Sequence, residues 1–464
     1  MNRRRSLRFL TAIILVRATR TLMRLLRRKA THFPGQLAKK LCPDFLARID
    51  KPDQIIAITG TNAKTTVANL IADMAENLNL SFAHNAYGSN IEEGIITTLL
   101  DATSFFGKKK KPLAILEIDE RFTRIIFHSL HPDYLVVTNL FRESYLRNAH
   151  GEFIFNILDD YIPETSHVLV NADDLLSQQL AVGRQATSFG IARLPDEPIE
   201  NRNLIRDVVL CPNCHHPLTD RFIRYHHIGR ADCDNCGWHS LVPDFELTSH
   251  TAEDLTIEHE GEKEHYPFQG ENILDLYNVL TAVTLFRTLG YSADEVKSAL
   301  LGVAIGKSRK EVYKIGGTSI YRMLAKGKNP IAVSRVLDAV DKLPGKKQFI
   351  LLVDTSVDKM SEEDNAAWIY DAELSILTDP DVKRVIVGGR RSEDIRIALL
   401  FQGVPEEKII TCRDKLDTAK YIAKTEDPET IAILYELYSA PVAKKVMEAV
   451  KNQRVLGLSE SGGK

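Results

Sequence analysis

Short unbroken apolar runs recur along the first third of the chain. They are 55–58 (Ile-Ile-Ala-Ile), 113–116 (Leu-Ala-Ile-Leu), 134–137 (Tyr-Leu-Val-Val) and 167–170 (His-Val-Leu-Val). Runs of this length without polar alternation mark strands buried on both faces, as in a parallel sheet covered by helices. Between them the spacing turns helical. Val67, Leu70, Ile71, Met74, Ala75 and Leu78 line one helix face, and a second helix is expected over about 91–102. Strands alternating with helices predict a doubly wound α/β sheet.

The pattern then changes. Residues 245–265 read as one or two polar strands, and 270–282 enters a long apolar helix that stops at Leu289-Gly290. Ser292 and Glu295 stand at the spacing of a capping box and open a helix to about 301. The periodicity breaks at Gly306-Lys307-Ser308-Arg309-Lys310-Glu311, which is read as a domain boundary. Beyond it the alternation restarts. Strands are expected at 349–353, 384–387 and 431–434, and helices at 332–341, 393–401, 415–425 and 441–450. The expected organisation is an N-terminal helical arm (1–50), a central α/β domain (51–308) with an insertion at about 205–242, a smaller C-terminal α/β domain (309–458) and a disordered Ser/Gly-rich tail (459–464).

Composition adds little except in three places. A chain of 464 residues can hold two to four domains, and a net charge of −2 gives no overall pull towards nucleic acid. The charge is uneven, however: Arg3, Arg4, Arg5, Arg8, Arg17, Arg20, Arg24, Arg27, Arg28 and Lys29 all precede the first acid, Asp44. The apolar stretch at 7–16 is shorter than the roughly 20 residues of a membrane span, and no small-residue cleavage site follows it. It reads as a basic amphipathic helix, either packed on the first domain or lying against anionic lipid. The run Lys108 to Lys111 reads as a solvated loop. Six cysteines in so long a chain do not make a disulfide framework.

The chemistry concentrates at the end of the first strand. Thr59-Gly60-Thr61-Asn62-Ala63-Lys64-Thr65-Thr66 lies between an apolar run and a helical pattern, the context of a phosphate-binding loop. Backbone N–H groups at the helix start and the helix dipole favour anionic oxygens there. Lys64 would reach terminal phosphates and the Thr65 hydroxyl would ligate Mg²⁺. The long Walker spacing is not met, and Ala63 stands where the shorter Gly-Thr-Asn-Gly-Lys-Thr form has glycine. The next strand ends in Glu117-Ile118-Asp119-Glu120, so Glu117 or Asp119 could hold Mg²⁺ at the carboxyl edge where such sheets bind ligands.

Cys211-x-x-Cys214 and Cys233-x-x-Cys236 are separated by 18 residues, the spacing of a closed four-thiolate Zn²⁺ site on two knuckles. Four thiolates leave no open position, so this zinc would be structural. His215, His216 and His239 adjoin the cysteines and could replace one. Arg221, Arg224 and Arg230, with Phe222 and Tyr225, form a modest basic patch, which keeps a nucleic-acid role open.

Taken together, the Thr-Gly-Thr-Asn-x-Lys-Thr-Thr loop, the acid-ended strand, Asn278 in Tyr-Asn-x-Leu-x-Ala and Arg309-x-Glu311 resemble the Mur ligase family over roughly 20–450. The cysteine-rich insertion, the Pro34-Gly35-x-Leu37-Ala38 arm and Lys328-Asn329-Pro330 resemble its amidating branch. That resemblance implies an ATP-using subunit acting on lipid II, which phosphorylates the α-carboxylate of the second-position D-glutamate. Ammonia from a separate GatD-type glutaminase subunit would then give D-isoglutamine. It implies ATP contacts from Gly60, Thr61, Asn62, Lys64, Thr65 and Thr66, adenine contact from Asn278, and γ-phosphate contact from Arg309. It also implies work in the cytoplasm at the inner membrane face. Relatives carry an aspartate three residues before a Trp to complete the partner's Cys–His pair. Here Asn365 has that spacing before Trp368, and Asp364 is the candidate. Two other readings stand beside this one: a Mur-type ligase that adds an amino acid and needs no glutaminase, and a zinc-ribbon ATPase that binds nucleic acid.

Overall fold

A computed structural model describes residues 6–27, 30–86, 89–142, 150–195, 197, 203–270, 272–303, 310–325, 329–354, 366–423 and 428–461, with side chains through Val455. The chain divides into two compact units, one drawn from the chain up to Gly306 and one beginning at Lys307, which also takes in Asn203–Ile205.

In the first unit, helices α1 (Leu7–Leu25), α2 (Phe33–Leu41) and α3 (Phe45–Arg48) precede β1 (Gln54–Thr59), α4 (Lys64–Asn77), β2 (Phe82–His84) and α5 (Glu92–Asp101). Then follow β3 (Leu113–Glu117), α6 (Thr123–Ile126), β4 (Tyr134–Val137), α7 (Gly151–Tyr161), β5 (His167–Asn171) and β6 (Ala186–Ile191). A two-stranded hairpin, β7 (Thr219–Tyr225) and β8 (Ile228–Asp232), leads to β9 (Phe245–His250), β10 (Asp254–His259), β11 (Glu262–Pro267), α8 (Ile273–Thr288) and α9 (Ala293–Leu300).

The main sheet has the order β11-β10-β9-β6-β5-β4-β1-β3-β2. It is parallel from β2 to β9 and turns antiparallel through β10 and β11. The order reverses at β1: β3 lies on one side and β4 on the other, which makes the carboxyl end of β1 the switch point. Both faces are covered, as the unbroken apolar runs require. Ile55 and Ala57 pack in one core with Phe9, Ile13 and Val16 of α1, Ile95 and Leu99 of α5 and Ile154 of α7. The alternate residues Ile56 and Ile58 face the side where α4 and α8 pack together. The stretch read as one or two polar strands is three, β9 to β11. The capping box at Ser292 forms with both of its hydrogen bonds.

The second unit begins with the hairpin β12 (Lys310–Ile315) and β13 (Thr318–Leu324), then α10 (Pro330–Asp341), β14 (Lys346–Leu352), β15 (Val382–Gly388), α11 (Ser392–Phe401), β16 (Ile409–Cys412), β17 (Glu429–Tyr435) and α12 (Ala440–Ser461). Its sheet order is β12-β13-β17-β14-β15-β16, parallel except for β12. Phe349 and Leu351 face one core with α10 and α11, and Ile350 and Leu352 face another with α12. Residues 415–421 form a 3-10 helix rather than the expected α-helix. The helix α12 continues to Ser461, past the expected start of the tail.

The N-terminal arm packs on the first unit. Phe9, Ala12, Ile13 and Val16 are buried, and the Phe9 ring meets Phe45 at 4.9 Å. Arg17 donates to the carbonyls of Leu100, Thr103 and Ser104, and Arg20 pairs with Asp101. Among the described residues no helix is long and apolar enough to cross a membrane.

Candidate active site and metal centre

The loop between β1 and α4 is built at the switch point. Gly60 has φ +125°, and a Cβ there would come 2.4 Å from Thr138 Oγ1 and 2.8 Å from the Asn139 carbonyl oxygen. Only glycine fits that approach. The end of β4 holds the loop in shape. The Thr61 N–H donates to the Asn139 carbonyl, and the Asn62 N–H to Asn139 Oδ1. The Thr138 hydroxyl donates to the Asn62 carbonyl, and the Thr61 hydroxyl exchanges hydrogen bonds with the Phe141 backbone.

Ala63 occupies the N-cap of α4 at φ 67°, ψ −3°, and no side chain caps the helix. The methyl has therefore not shifted the backbone: the left-handed geometry that glycine would adopt freely is kept at a cost of about 1–2 kcal/mol. A helix start leaves its first-turn N–H groups without intrahelical partners, and that of α4 has no side-chain cap, which suits it to an anion. Thr65 and Thr66 sit on that turn, half-buried. Lys64 Nζ donates to the carbonyls of Gly60 and Thr61 and pairs with Glu120 Oε2 at 2.9 Å.

Of the three acids at the end of β3, the structure brings Glu120, not Glu117 or Asp119, to Lys64. The chain leaves β3 at Glu117 and turns through a 3-10 segment at Glu120–Phe122, which returns Glu120 towards the loop. Glu117 is buried beside it. Its Oε1 accepts from Asn90 Nδ2 at 3.0 Å, and its backbone exchanges hydrogen bonds with the Asn85 side chain. Asp119 caps the 3-10 turn by accepting from the Arg121 N–H; burial works against its ionisation, but the Arg121 guanidinium outweighs this and holds its carboxyl below the usual range. A cleft of about 440 Å³ opens next to Asn85, lined also by Arg20, Arg24, His84, Ser89 and Thr98. Asn278 is buried on α8, which packs along α4. Arg309, Lys328 and Asp364, like Asn365, lie outside the described residues.

The four cysteines converge. Cys211 and Cys236 sulfurs are 3.5 Å apart, Cys214 and Cys233 sulfurs 3.4 Å, and all four lie within 4.8 Å of one another. A disulfide would need about 2.05 Å. Tetrahedral thiolates at about 2.3 Å from zinc stand about 3.8 Å apart, so the set fits a metal ion. The two knuckles repeat each other. His215 (φ 58°) and Gly237 (φ 72°) each donate to the carbonyl of the first cysteine of their pair. Cys211 and Cys233 in turn donate to the carbonyls of His216 and Trp238. Among the described residues His215, His216 and His239 are not part of the cluster.

The hairpin is anchored in the sheet by charge. Asp173, just past β5 and fully buried, accepts from Arg224, Arg230, Tyr277 and the Ile191 N–H. Arg224 also pairs with Glu197, and Arg230 with Glu246 at 2.7 Å. Arg221 pairs with Asp232 across the hairpin. The basic patch of the sequence is thus engaged within the protein. At the hairpin turn His227 sits 3.1 Å from Asp174 and against Phe141, whose backbone holds Thr61. Burial favours the neutral imidazole, but Asp174, with Asp207 beyond it, outweighs this and raises its pKa. The acids Asp173 and Asp174 were legible as a strand end; their partners, some fifty residues later, carry no local signal.

Residues 327–440 match the MurT ligase C-terminal family. The chain is 28% identical over 441 residues to the lipid II isoglutaminyl synthase (glutamine-hydrolyzing) subunit MurT of Staphylococcus aureus (strain COL), covering 94% of this chain and 97% of that protein. The chain is thus similar to MurT subunits over most of its length. The same-named subunit of Streptococcus pneumoniae (strain ATCC BAA-255 / R6) is 27% identical over 406 residues, 84% of this chain and 89% of that one. The chain shares its fold with Mur ligases. A pseudomurein peptide ligase type C from Methanothermus fervidus aligns at TM-score 0.66 and 16% identity, covering 90% of this chain and 83% of that one. MurF ligase from Thermotoga maritima in complex with ADP aligns at TM-score 0.57 and 15% identity, covering 90% and 85%.

Proposed function

We propose that this protein is the ATP-using ligase subunit of a lipid II amidating enzyme, as its similarity to MurT subunits supports. The observation that carries the reading is the loop at the switch point: a helix start without a side-chain cap, Lys64 and buried Glu120 meet where the sheet order reverses. A carboxylate oxygen of the D-glutamate residue would attack the γ-phosphorus of ATP, the bond to the bridging oxygen would break, and ADP would leave. Ammonia would then attack the acyl carbon, lose a proton, and expel phosphate to give D-isoglutamine.

The protein's part is electrostatic and positional. Gly60, Thr61, Asn62 and the first-turn N–H groups would cradle the phosphates, and Lys64 would release Glu120 to meet them. Thr65 and Glu117 would hold Mg²⁺, which supplies charge neutralisation on the phosphates when bound. We assign Asn278 to adenine, Arg309 to the γ-phosphate and Asp364 to the Cys–His pair of a GatD-type glutaminase partner. The cleft beside Asn85, with Arg24 at its rim, is where we place the anionic lipid-linked substrate. Zn²⁺ on Cys211, Cys214, Cys233 and Cys236 would fix the hairpin.

The ammonia source is placed in the partner because the other two thiols are poor nucleophiles. Burial pushes Cys412 up to about 11 and also raises Cys42. A direct test gives the purified chain lipid II, ATP and ammonium chloride without glutamine. Loss of one carboxylate charge from lipid II with ADP release is expected; ADP release only when an amino acid is added would replace this reading with an amino-acid ligase.

A further inference from the structure

Helix α1 has two apolar faces, and among the described residues only one is buried. Phe9, Ala12, Ile13 and Val16 are buried in the core of the first unit. About half a turn away, Leu7, Ile14, Leu15, Leu22 and Leu25 form a stripe over the full 19 residues, with Leu26 just beyond the end. These side chains stay 41–80% exposed. An isolated exposed leucine needs no explanation, but a continuous stripe on one helix does.

Two further features adjoin this helix. The loop after α5 is held to it, since Arg17 donates to the carbonyls of Thr103 and Ser104, and Gly107 lies against Phe9 and Ile13. That loop exposes Phe105 and Phe106, 54% and 55% accessible and edge to face with each other, followed by exposed Lys108 and Lys110. The helix itself carries exposed Arg8 and Arg24, with Arg27 after it, and the first 43 residues of the sequence hold no acid. An apolar stripe, an aromatic pair and a cationic border are the three elements of an interfacial lipid-binding surface.

We infer that the outer face of α1, with the Phe105–Phe106 loop, docks the protein on an anionic membrane surface. The occupant is a bilayer and not a second protein because α1 carries basic residues and no acid; Asp101, which faces it from α5, is shared by Arg20 and Arg24, so the border is cationic overall and complements acidic headgroups. Docking here does not require the catalytic reading: it would hold for any activity of this chain. If that reading also holds, the cleft at the C-terminal end of α1, lined by Arg20 and Arg24, opens close to the lipid surface.

The test is flotation of the full chain with vesicles of phosphatidylglycerol and phosphatidylcholine, compared with phosphatidylcholine alone. Binding to the mixed vesicles, weakened by salt, is expected. Leu22→Glu/Leu25→Glu should reduce the binding constant by about tenfold or more, and Phe105→Ser/Phe106→Ser by several-fold. Because these side chains are exposed, circular dichroism and thermal melting should match the parent. Equal binding to both vesicle types, no binding by the folded chain, or unchanged binding by both variants would overturn the inference. So would a dimer in size-exclusion chromatography that Leu22→Glu/Leu25→Glu converts to monomer without altering flotation, which would assign the stripe to a second copy.

Discussion

Lys64 Nζ lies 2.9 Å from Glu120 Oε2, with the lysine side chain 12% exposed and the glutamate 3%. A carboxylate and the carbonyls of its own loop hold this cation. Lys64→Ala removes the cation from beside buried Glu120, at a cost of about 3–5 kcal/mol. Loss of folding could then mimic loss of catalysis, so Lys64→Arg is the cleaner probe. It keeps the charge but not the compact geometry. ADP release should be abolished in Lys64→Ala and fall by at least about a hundredfold in Lys64→Arg, whose melting temperature should stay near the parent's. Full ADP release by Lys64→Ala would contradict the role of the loop.

Ala63 is a second position where the loop can be questioned directly. It holds φ 67° with a methyl group at the point of phosphate approach. Ala63→Gly removes both the strain and the methyl. Stability should rise by about 1 kcal/mol or remain level, as the entropy of glycine offsets part of the gain. KM for ATP should fall. Thermal melts and ADP-release kinetics on the two proteins measure both effects, and a raised KM in Ala63→Gly would show that the methyl supports binding.

The hairpin has a four-cysteine cluster and a charge anchor, and they should fail differently. Cys211→Ser should lose zinc, measured as metal per chain near one in the parent, and chelation should lower the melting temperature in the same way. Asp173→Ala leaves Arg224 and Arg230 buried with their shared carboxylate gone. The expected cost is about 3–5 kcal/mol, with zinc retained. Denaturant unfolding followed by metal analysis distinguishes the two.

His227 makes stability depend on pH. Its folded pKa is raised, so the charged form is favoured on folding. The contribution is therefore fully present below the unfolded value of about 6.5 and is lost as pH rises through the folded value. Denaturant midpoints should decline from about pH 6.5 upwards on this account. His227→Asn should flatten that part of the profile; an identical slope in the variant would place the dependence elsewhere.

What could be read in advance follows from where each residue's partners lie. The runs at β1, β3, β4 and β5 were legible because burial on both faces leaves no polar positions to interrupt them. Strand β12 was not: its side chains are mostly half-buried or exposed, and residues 310–315 resemble a linker until paired with β13. The four cysteines announced themselves by spacing. The Asp173–Arg224–Arg230 cluster did not, because those residues meet only through tertiary packing. Glu120 was in plain view at the end of β3, but which of three acids turns towards Lys64 depends on a single 3-10 turn. The basic N-terminal helix allowed two readings, and the structure shows why: one face is packed and the other open.

The central claim is tested most directly by co-purifying the chain with a GatD-type glutaminase and following lipid II in the presence of glutamine and ATP. The account predicts conversion of D-glutamate to D-isoglutamine in lipid II, dependent on both glutamine and ATP and absent in Lys64→Ala. Lipid II left unamidated by an intact, ATP-hydrolysing complex, with ADP release that instead follows an added amino acid, would contradict it.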